Sequence, residues 1–251
     1  MNEFKDKTGI ITGATSGIGE NIAQNLGKKG ANLILSGRNK IAGEKLLHQF
    51  EETQSHFVAG DIKQPETNKK LVETAIENYG RLDFLVLSAG QLGIGRLADL
   101  SLEEWHDTIA TNLNAVFYLL KYAIPEMQKN GGGNIVIIGS VAASHAFPNH
   151  PAYTATKGAL PPLVRQLAKD YGPEFRINLV SPAQVETPLL FHSVKAFENA
   201  DEILEETANK LPMHRLGIPQ DISNMVLFLL SQEASWITGS NFNVDGGFLA
   251  T

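Results

Sequence analysis

The chain contains no cysteine, which excludes disulfides, thiolate catalysis and cysteine-ligated metals together. It also lacks any block of lysines or arginines, and 21 basic residues against 27 acidic ones leave a formal net charge of −6. A balance of that sign argues against nucleic acid or an anionic membrane as the main partner. No apolar stretch reaches the ~18 residues that a membrane-spanning helix needs. The opening Met1-Asn2-Glu3-Phe4-Lys5-Asp6-Lys7 is polar and runs into a strand pattern, so no secretory leader is expected and the cytoplasm is the expected location. There is no internal repeat, low-complexity tract or linker. The seven histidines show no metal-like spacing, so no metal is expected.

What is present is ordinary in amount and informative in order. With 251 residues, 43% hydrophobic and 19% charged, the chain suits one large α/β domain with a substantial core. Strand patterns fall at 8–12, 31–36, 55–60, 82–88, 134–140, 175–181 and 241–244, alternating with helical periodicity. Ile18, Ile22 and Leu26 recur every four residues, and Gly30 ends that helix. Ser101 and Glu104 form a capping-box pattern ahead of Trp105, Ile109, Leu113, Val116, Phe117 and Leu120. Ile135-Val136-Ile137-Ile138 is apolar at successive positions, as expected of a parallel strand covered on both faces. The expected fold is a doubly wound, Rossmann-like parallel sheet of about seven strands, one domain over 1–251. Pro161 and Pro162 fall inside a helical pattern, where each removes a donor at a typical cost of ~3 kcal/mol. A kink or break just after Lys157 is therefore expected.

Such sheets bind ligands beyond the carboxyl ends of their strands. After the first strand comes Thr12-Gly13-Ala14-Thr15-Ser16-Gly17-Ile18-Gly19. Glycines let the backbone approach a phosphate, and the following helix presents free N–H groups and a partial positive charge. The spacing is G-x-x-x-G-x-G, not the G-x-G-x-x-G of the dinucleotide fingerprint. The second strand ends in Gly37-Arg38, where an acidic residue would accept the ribose hydroxyls of NAD. An arginine there suits the 2′-phosphate of NADP, so NADP(H) is expected over NAD(H). Asp61, before Ile62, either accepts a hydrogen bond from the adenine amine or serves its own loop in the manner of an N-cap.

Tyr153 and Lys157 stand four apart, which puts them on one helix face, with Ser140 at the end of the fifth strand pattern. A tyrosine with an ordinary pKa of about 10 needs a cation beside it to act as an acid or base near neutrality. Taken alone, an exposed Tyr/Lys pair on an amphipathic helix explains the spacing as well.

Together these residues resemble the short-chain dehydrogenase/reductase family over almost the whole chain. The family's T-G-x-x-x-G-x-G is matched by Thr12 to Gly19, and its Ser-x12-Tyr-x3-Lys by Ser140, Tyr153 and Lys157. Asn112 stands within Asn112-Leu113-Asn114-Ala115-Val116-Phe117, and Arg215-Leu216-Gly217-Ile218-Pro219 and Val244-Asp245-Gly246-Gly247 match further segments. The resemblance implies reversible hydride transfer between a nicotinamide and a small carbonyl or alcohol substrate. It makes Tyr153 the general acid/base, Lys157 the holder of the nicotinamide ribose, Ser140 the residue orienting the substrate oxygen, and Asn112 either the holder of a relay water or a structural brace. Gly13, Thr15, Ser16, Gly17, Ile18, Gly19, Arg38, Asp61, Ile62, Ser88, Ala89, Gly90, Pro182, Val185 and Thr187 would join Tyr153 and Lys157 around the cofactor.

The chain departs from the family at Leu87-Ser88-Ala89-Gly90, where N-N-A-G is usual, and at Pro182-Ala183, where Pro-Gly is usual. The segment 189–211, with Phe191, His192, Val194, Phe197 and Leu204, resembles the family's lid. Its apolar residues fit either a hydrophobic substrate or plain packing. His145 and His150 lie between Ser140 and Tyr153 and so border the substrate. A homo-oligomer, tetramer or dimer, is expected by the same resemblance, which extends to 3-oxoacyl-carrier-protein reductases. The alternatives are an NAD(H)-linked alcohol or sugar dehydrogenase, a non-catalytic nucleotide sensor, and a methyltransferase, which also places a glycine-rich loop after its first strand.

Overall fold

A computed structural model describes residues 3–50, 55–194 and 199–250. Its strands are β1 (Thr8–Thr12), β2 (Asn32–Gly37), β3 (Ser55–Ala59), β4 (Phe84–Leu87), β5 (Gly133–Ile138), β6 (Phe175–Pro182) and β7 (Asn241–Val244). They form one parallel sheet in the order β3-β2-β1-β4-β5-β6-β7. The helices are α1 (Gly17–Lys28), α2 (Lys40–Leu47), α3 (Pro65–Tyr79), α4 (Leu102–Ile109), α5 (Ala115–Gln128), α6 (Pro151–Tyr171), α7 (Pro188–Val194), α8 (Ala200–Lys210) and α9 (Pro219–Leu230). The chain winds outward from β1 to β3, then returns to place β4 on the other side of β1. That reversal opens a crevice between the carboxyl ends of β1 and β4.

The unbroken apolar runs have a direct cause. Alternate strand residues face opposite sides of the sheet, and both sides are covered. Ile11, Leu33, Leu35, Val136 and Ile138 pack with Ile22 and Leu26 of α1 and Ile222 and Val226 of α9. Their chain neighbours Ile10, Ile34, Ile135 and Ile137 pack with Leu71 of α3, Leu119 of α5, and Leu160 and Val164 of α6. Each of these side chains is worth about 1.5–3 kcal/mol when buried. β4 is shorter than the pattern suggested, although the backbone of Asp83, just before it, donates to the Thr8 carbonyl at 2.8 Å and accepts from the Asn134 amide at 3.0 Å. The Asp83 carboxylate accepts from the Thr8 amide at 2.9 Å and pairs with Arg81 and Lys7.

Two helical expectations change. The helix expected to break after Lys157 runs as one element from Pro151 to Tyr171. Its stripe of Ala152, Thr156, Leu160 and Val164, one per turn, is fully buried, and that burial is of the same size as the ~3 kcal/mol cost of an interior proline. Pro162 is exposed and Gly158 has open space beside it, so solvent can serve the carbonyls that lose their donors. Conversely, the single helix expected beyond Ser101 is interrupted. Ser101 accepts from the Glu104 amide at 3.1 Å and starts α4. A π turn over Ala110–Asn114 then separates α4 from α5. Such turns insert an extra residue and re-aim side chains, often at functional sites. Here Asn112 is the buried residue within it.

Candidate active site

At the end of β1 the chain turns through Gly13 and Gly17, both with positive φ, +66° and +57°. A Cβ on Gly13 would lie 2.8 Å from the Ala89 Cα, and one on Gly19 would lie 2.3 Å from the Gly13 carbonyl oxygen. The backbone is therefore packed as closely as backbone allows, and the floor of the crevice stays bare. Ser16 occupies the N-cap of α1 with no side-chain capping bond, so its hydroxyl and the first amides of the helix remain available to an anion. These features fit the phosphates of a dinucleotide. Beside them, Gly37 and the exposed Arg38 end β2, and a Cβ on Gly37 would meet the Thr15 side chain at 2.7 Å.

Asp61 follows β3 and serves its own loop: its Oδ1 accepts from the Lys63 amide at 3.0 Å. Lys63 Nζ reaches Asp61 at 3.5 Å and Asp107 at 3.0 Å. The loop reading of Asp61 is thus present. Asp61 also lines the cleft.

Across β1, the amides of Ser88 and Ala89 donate to the Thr12 hydroxyl at 3.2 and 3.3 Å, which carries the end of β4 toward the glycine loop. Leu87, standing where the family has an amide side chain, is buried among apolar neighbours. Ser140 ends the run from β5, and its Oγ accepts from the Ala142 amide at 3.1 Å. The Ser140 and Tyr153 hydroxyls are hydrogen-bonded to each other. Lys157 is only 4% exposed; its Nζ donates to the Ile138 carbonyl at 2.8 Å and lies 5.6 Å from the Tyr153 ring centre.

Burial governs both ionisable groups. It pushes the Tyr153 phenol up from its ordinary 10, and the hydrogen bond to Ser140 opposes it. Burial likewise lowers the Lys157 ammonium from 10.5 to about 8. In the free protein burial, not the neighbouring Lys157, decides the direction of the Tyr153 shift. The ammonium donates to the Ile138 carbonyl and lies over the ring, 5.6 Å from its centre, and desolvation outweighs that contact.

Asn112 has a different place from the other expected residues. Its Oδ1 accepts from the Gln91 amide at 2.8 Å, and its Nδ2 donates to the Gln91 carbonyl at 2.8 Å and the Thr156 hydroxyl at 3.1 Å. Both amide hydrogens are committed to tying the Gln91 loop to the helix one residue before Lys157. It stands behind the wall, where Thr111 is the lining residue.

All the other expected catalytic and cofactor-binding residues line a single cleft of about 350 Å³. Val185 bridges to Gly217, whose amide donates to the Gln184 carbonyl at 2.9 Å, so the Arg215–Pro219 motif buttresses the wall next to Thr187. Leu189, Leu190 and Ser193 of α7 reach the cleft, whereas Phe191 and His192 are exposed; Phe197 lies outside the described residues. His150 lines the cleft and His145 does not. The sequence reading missed Leu92, Thr111 and Phe147. Only for Phe147 was there a signal, its position between Ser140 and Tyr153. Among the described residues no cluster of histidine or carboxylate groups could hold a metal ion, and no helix is long and apolar enough to cross a membrane.

A family model described as "Enoyl-(Acyl carrier protein) reductase" matches residues 13–249. Cyclohexanol dehydrogenase of Acinetobacter sp. (strain SE19) is 36% identical over 252 residues, spanning 98% of this chain and 96% of its own. Among solved structures, levodione reductase superposes with a TM-score of 0.95 at 28% identity, covering 99% of each chain. 7α-Hydroxysteroid dehydrogenase, solved with NADH and 7-oxo glycochenodeoxycholic acid, gives a TM-score of 0.91 at 34% identity, covering 98% of this chain and 95% of its own.

Proposed function

Because the chain belongs to the short-chain dehydrogenase/reductase family, oxidoreductases that use a nicotinamide cofactor, we propose that it interconverts a small ring ketone and its secondary alcohol with NADP(H), Tyr153 serving as acid and base. The observation that carries this reading is the Ser140–Tyr153 hydroxyl pair with Lys157 buried one helical turn away, at the end of a glycine-floored cleft. The nicotinamide, when bound, supplies or accepts the hydride.

In reduction, Ser140 holds the carbonyl oxygen and Tyr153 gives it a proton. In oxidation, Tyr153 removes the proton from the hydroxyl. Burial keeps the phenol protonated in the free protein, which suits the acid. Bringing a phenol from about 10 to 7 takes ~4 kcal/mol, beyond the ~1 kcal/mol of an exposed ion pair. Lys157 acts from a desolvated position, where charge interactions are stronger. It holds the nicotinamide ribose on the same side. The committed amide of Asn112 supports its role as a brace for that helix turn rather than as the holder of a relay water. Leu189 to Leu211 acts as the lid, with α7 contributing Leu189 and Leu190 to the cleft.

Arg38 with Gly37 supports NADP(H). A second reading, NAD(H), is favoured by the NADH in the hydroxysteroid dehydrogenase neighbour. The ring substrate is supported by two relatives, named for cyclohexanol and for a hydroxysteroid, both of which carry the reacting group on a saturated ring. The test is Tyr153→Phe assayed by nicotinamide absorbance on cyclohexanone and cyclohexanol, with NADPH and NADH in parallel. Turnover is expected to fall below a few per cent while NADPH still binds; a variant that keeps more rules out the tyrosine's role.

A further inference from the structure

Beyond the Ser140–Tyr153 hydroxyls, the substrate end of the cleft is bordered by aromatic rings that no catalytic role accounts for. Phe147 and His150, from the segment before α6, both line the cleft. The His150 ring stands edge-on to Phe147 at 6.2 Å and to Tyr153 at 6.3 Å. On its far side Phe147 is stacked on Phe248, with centroids 5.6 Å apart and planes 20° apart. His145 closes the set by standing edge-on to both phenylalanines, at 5.2 and 4.8 Å. These four rings run unbroken to the reacting tyrosine, and their spacings are those of favourable aromatic pairs.

The turn that carries Phe248 (Phe248–Ala250) is itself held firmly. The Asp245 carboxylate accepts from the amides of Gly247 at 2.9 Å and Leu249 at 3.1 Å. The Met213 amide donates to the Gly246 carbonyl at 3.3 Å, and a Cβ on Gly247 would strike Pro212 at 2.6 Å. A ring pinned on one face by another ring, and at its edge by a third, has little rotamer freedom left to lose when a ligand arrives.

We infer that Phe147 is the specificity residue of this enzyme. Its cleft-side face selects substrates that present a rigid apolar ring, and Phe248 is a positioning residue that holds it there. The inference rests on the ring-substrate reading above and deepens it. A stiff flat wall gains its full contact with a stiff partner, whereas an open chain of the same size must freeze its own rotors to lie against it. His150 Nδ1 donates to the Pro148 carbonyl at 2.6 Å, which fixes its ring as the flank of the wall on the Tyr153 side.

The experiment compares reduction of cyclohexanone with that of 2-hexanone, an open-chain ketone with the same number of carbons. A hydrophobic contact of this kind is worth about 10–200-fold in specificity. Phe147→Ala is expected to lower kcat/KM for cyclohexanone about tenfold more than for 2-hexanone, with the loss in KM rather than kcat. Phe248→Ala is expected to shift the same ratio in the same direction by about threefold, and Phe248→Tyr to restore it. NADPH affinity is read in each variant by fluorescence titration and is expected to hold. Phe147→Leu, which keeps volume but removes the flat face, serves if the alanine variant does not fold, with the same shift in ratio expected. Equal losses for the two ketones, or none, overturn the wall while the parent enzyme's turnover of ring ketones stands. A parent enzyme that reduces neither cyclohexanone nor its substituted analogues overturns the ring-substrate reading and the wall with it.

Discussion

The end of the cleft that we propose for the phosphates is made of backbone, and the end that we propose for the substrate is made of side chains. At the phosphate end Gly13 and Gly19 press main chain against main chain, Gly17 lies against the Thr187 side chain, and the first amides of α1 are left free for an anion. At the substrate end, Phe147, His150 and Leu190 stand out from two separate segments on a frame that supplies only their positions. The difference follows from what each end must recognise. A polyanion is satisfied by close, fixed dipoles, for which side chains are an obstruction. An apolar substrate is recognised by shape, for which only side chains will do.

The contrast is most easily broken at its backbone end. Gly19→Ala puts a methyl 2.3 Å from the Gly13 carbonyl oxygen, and neither atom belongs to a flexible side chain. NADPH affinity, followed by fluorescence titration, is expected to fall about 100-fold, or ~3 kcal/mol. Gly158→Ala on α6, with open space around it, is the matched control and is expected to bind NADPH as the parent does.

A smaller change sharpens which cofactor the backbone end prefers. Arg38→Asp replaces the exposed cation at the end of β2 with a carboxylate that repels a 2′-phosphate and can accept from ribose hydroxyls. The ratio of kcat/KM with NADPH to that with NADH is expected to drop about 30-fold. An unchanged ratio would show that Arg38 does not read the 2′-phosphate.

The smallest effect concerns Lys157, where the two ends meet. Its folded pKa of about 8 lies below the ordinary 10.5. The unfolded chain therefore holds this proton more tightly, and stability rises with pH between those values. Below pH 8 the buried ammonium costs the fold about 3 kcal/mol. Lys157→Met removes that cost and leaves the Ile138 carbonyl without its donor, a loss of about 1–3 kcal/mol. The variant is expected to be inactive yet about 1 kcal/mol more stable at pH 7 in thermal melts, with the advantage gone by pH 10.5.

The backbone end was legible in the sequence for the same reason that it tolerates little change. Close approach admits only glycine, and the spacing of Gly13, Gly17 and Gly19 displays that requirement in seven consecutive positions. The sheet was legible because alternate burial on two faces leaves runs such as Ile135–Ile138 with no polar residue. The substrate end was legible only at Ser140, His150 and Tyr153, which line the cleft as expected. Phe147 and Phe248 meet across a hundred residues of chain, and no local pattern marks residues that belong to one surface only after folding. The unbroken course of α6 escaped for a related reason: the local cost of Pro161 and Pro162 is visible in sequence, but the compensating burial of Leu160 and Val164 is a tertiary property. Asn112 was found by resemblance, yet its bonds to Gln91 and Thr156 depend on a π turn that the helical periodicity conceals.

The order of strands carries a consequence for how the molecule comes together. β1, β2 and β3 are neighbours in both sequence and space, so they can pair as they emerge. β4 must instead return to the open side of β1, where Gly9 pairs with Phe84. Closing so long a loop is a slow, entropically opposed event. The crevice between β1 and β4 does not exist until it happens, and Ser140, Tyr153 and Lys157 are brought to the crevice only afterwards. A chain that has paired only β1 to β3 therefore holds no half-made site: the closure that brings β4 to β1 is the same event that first makes the crevice.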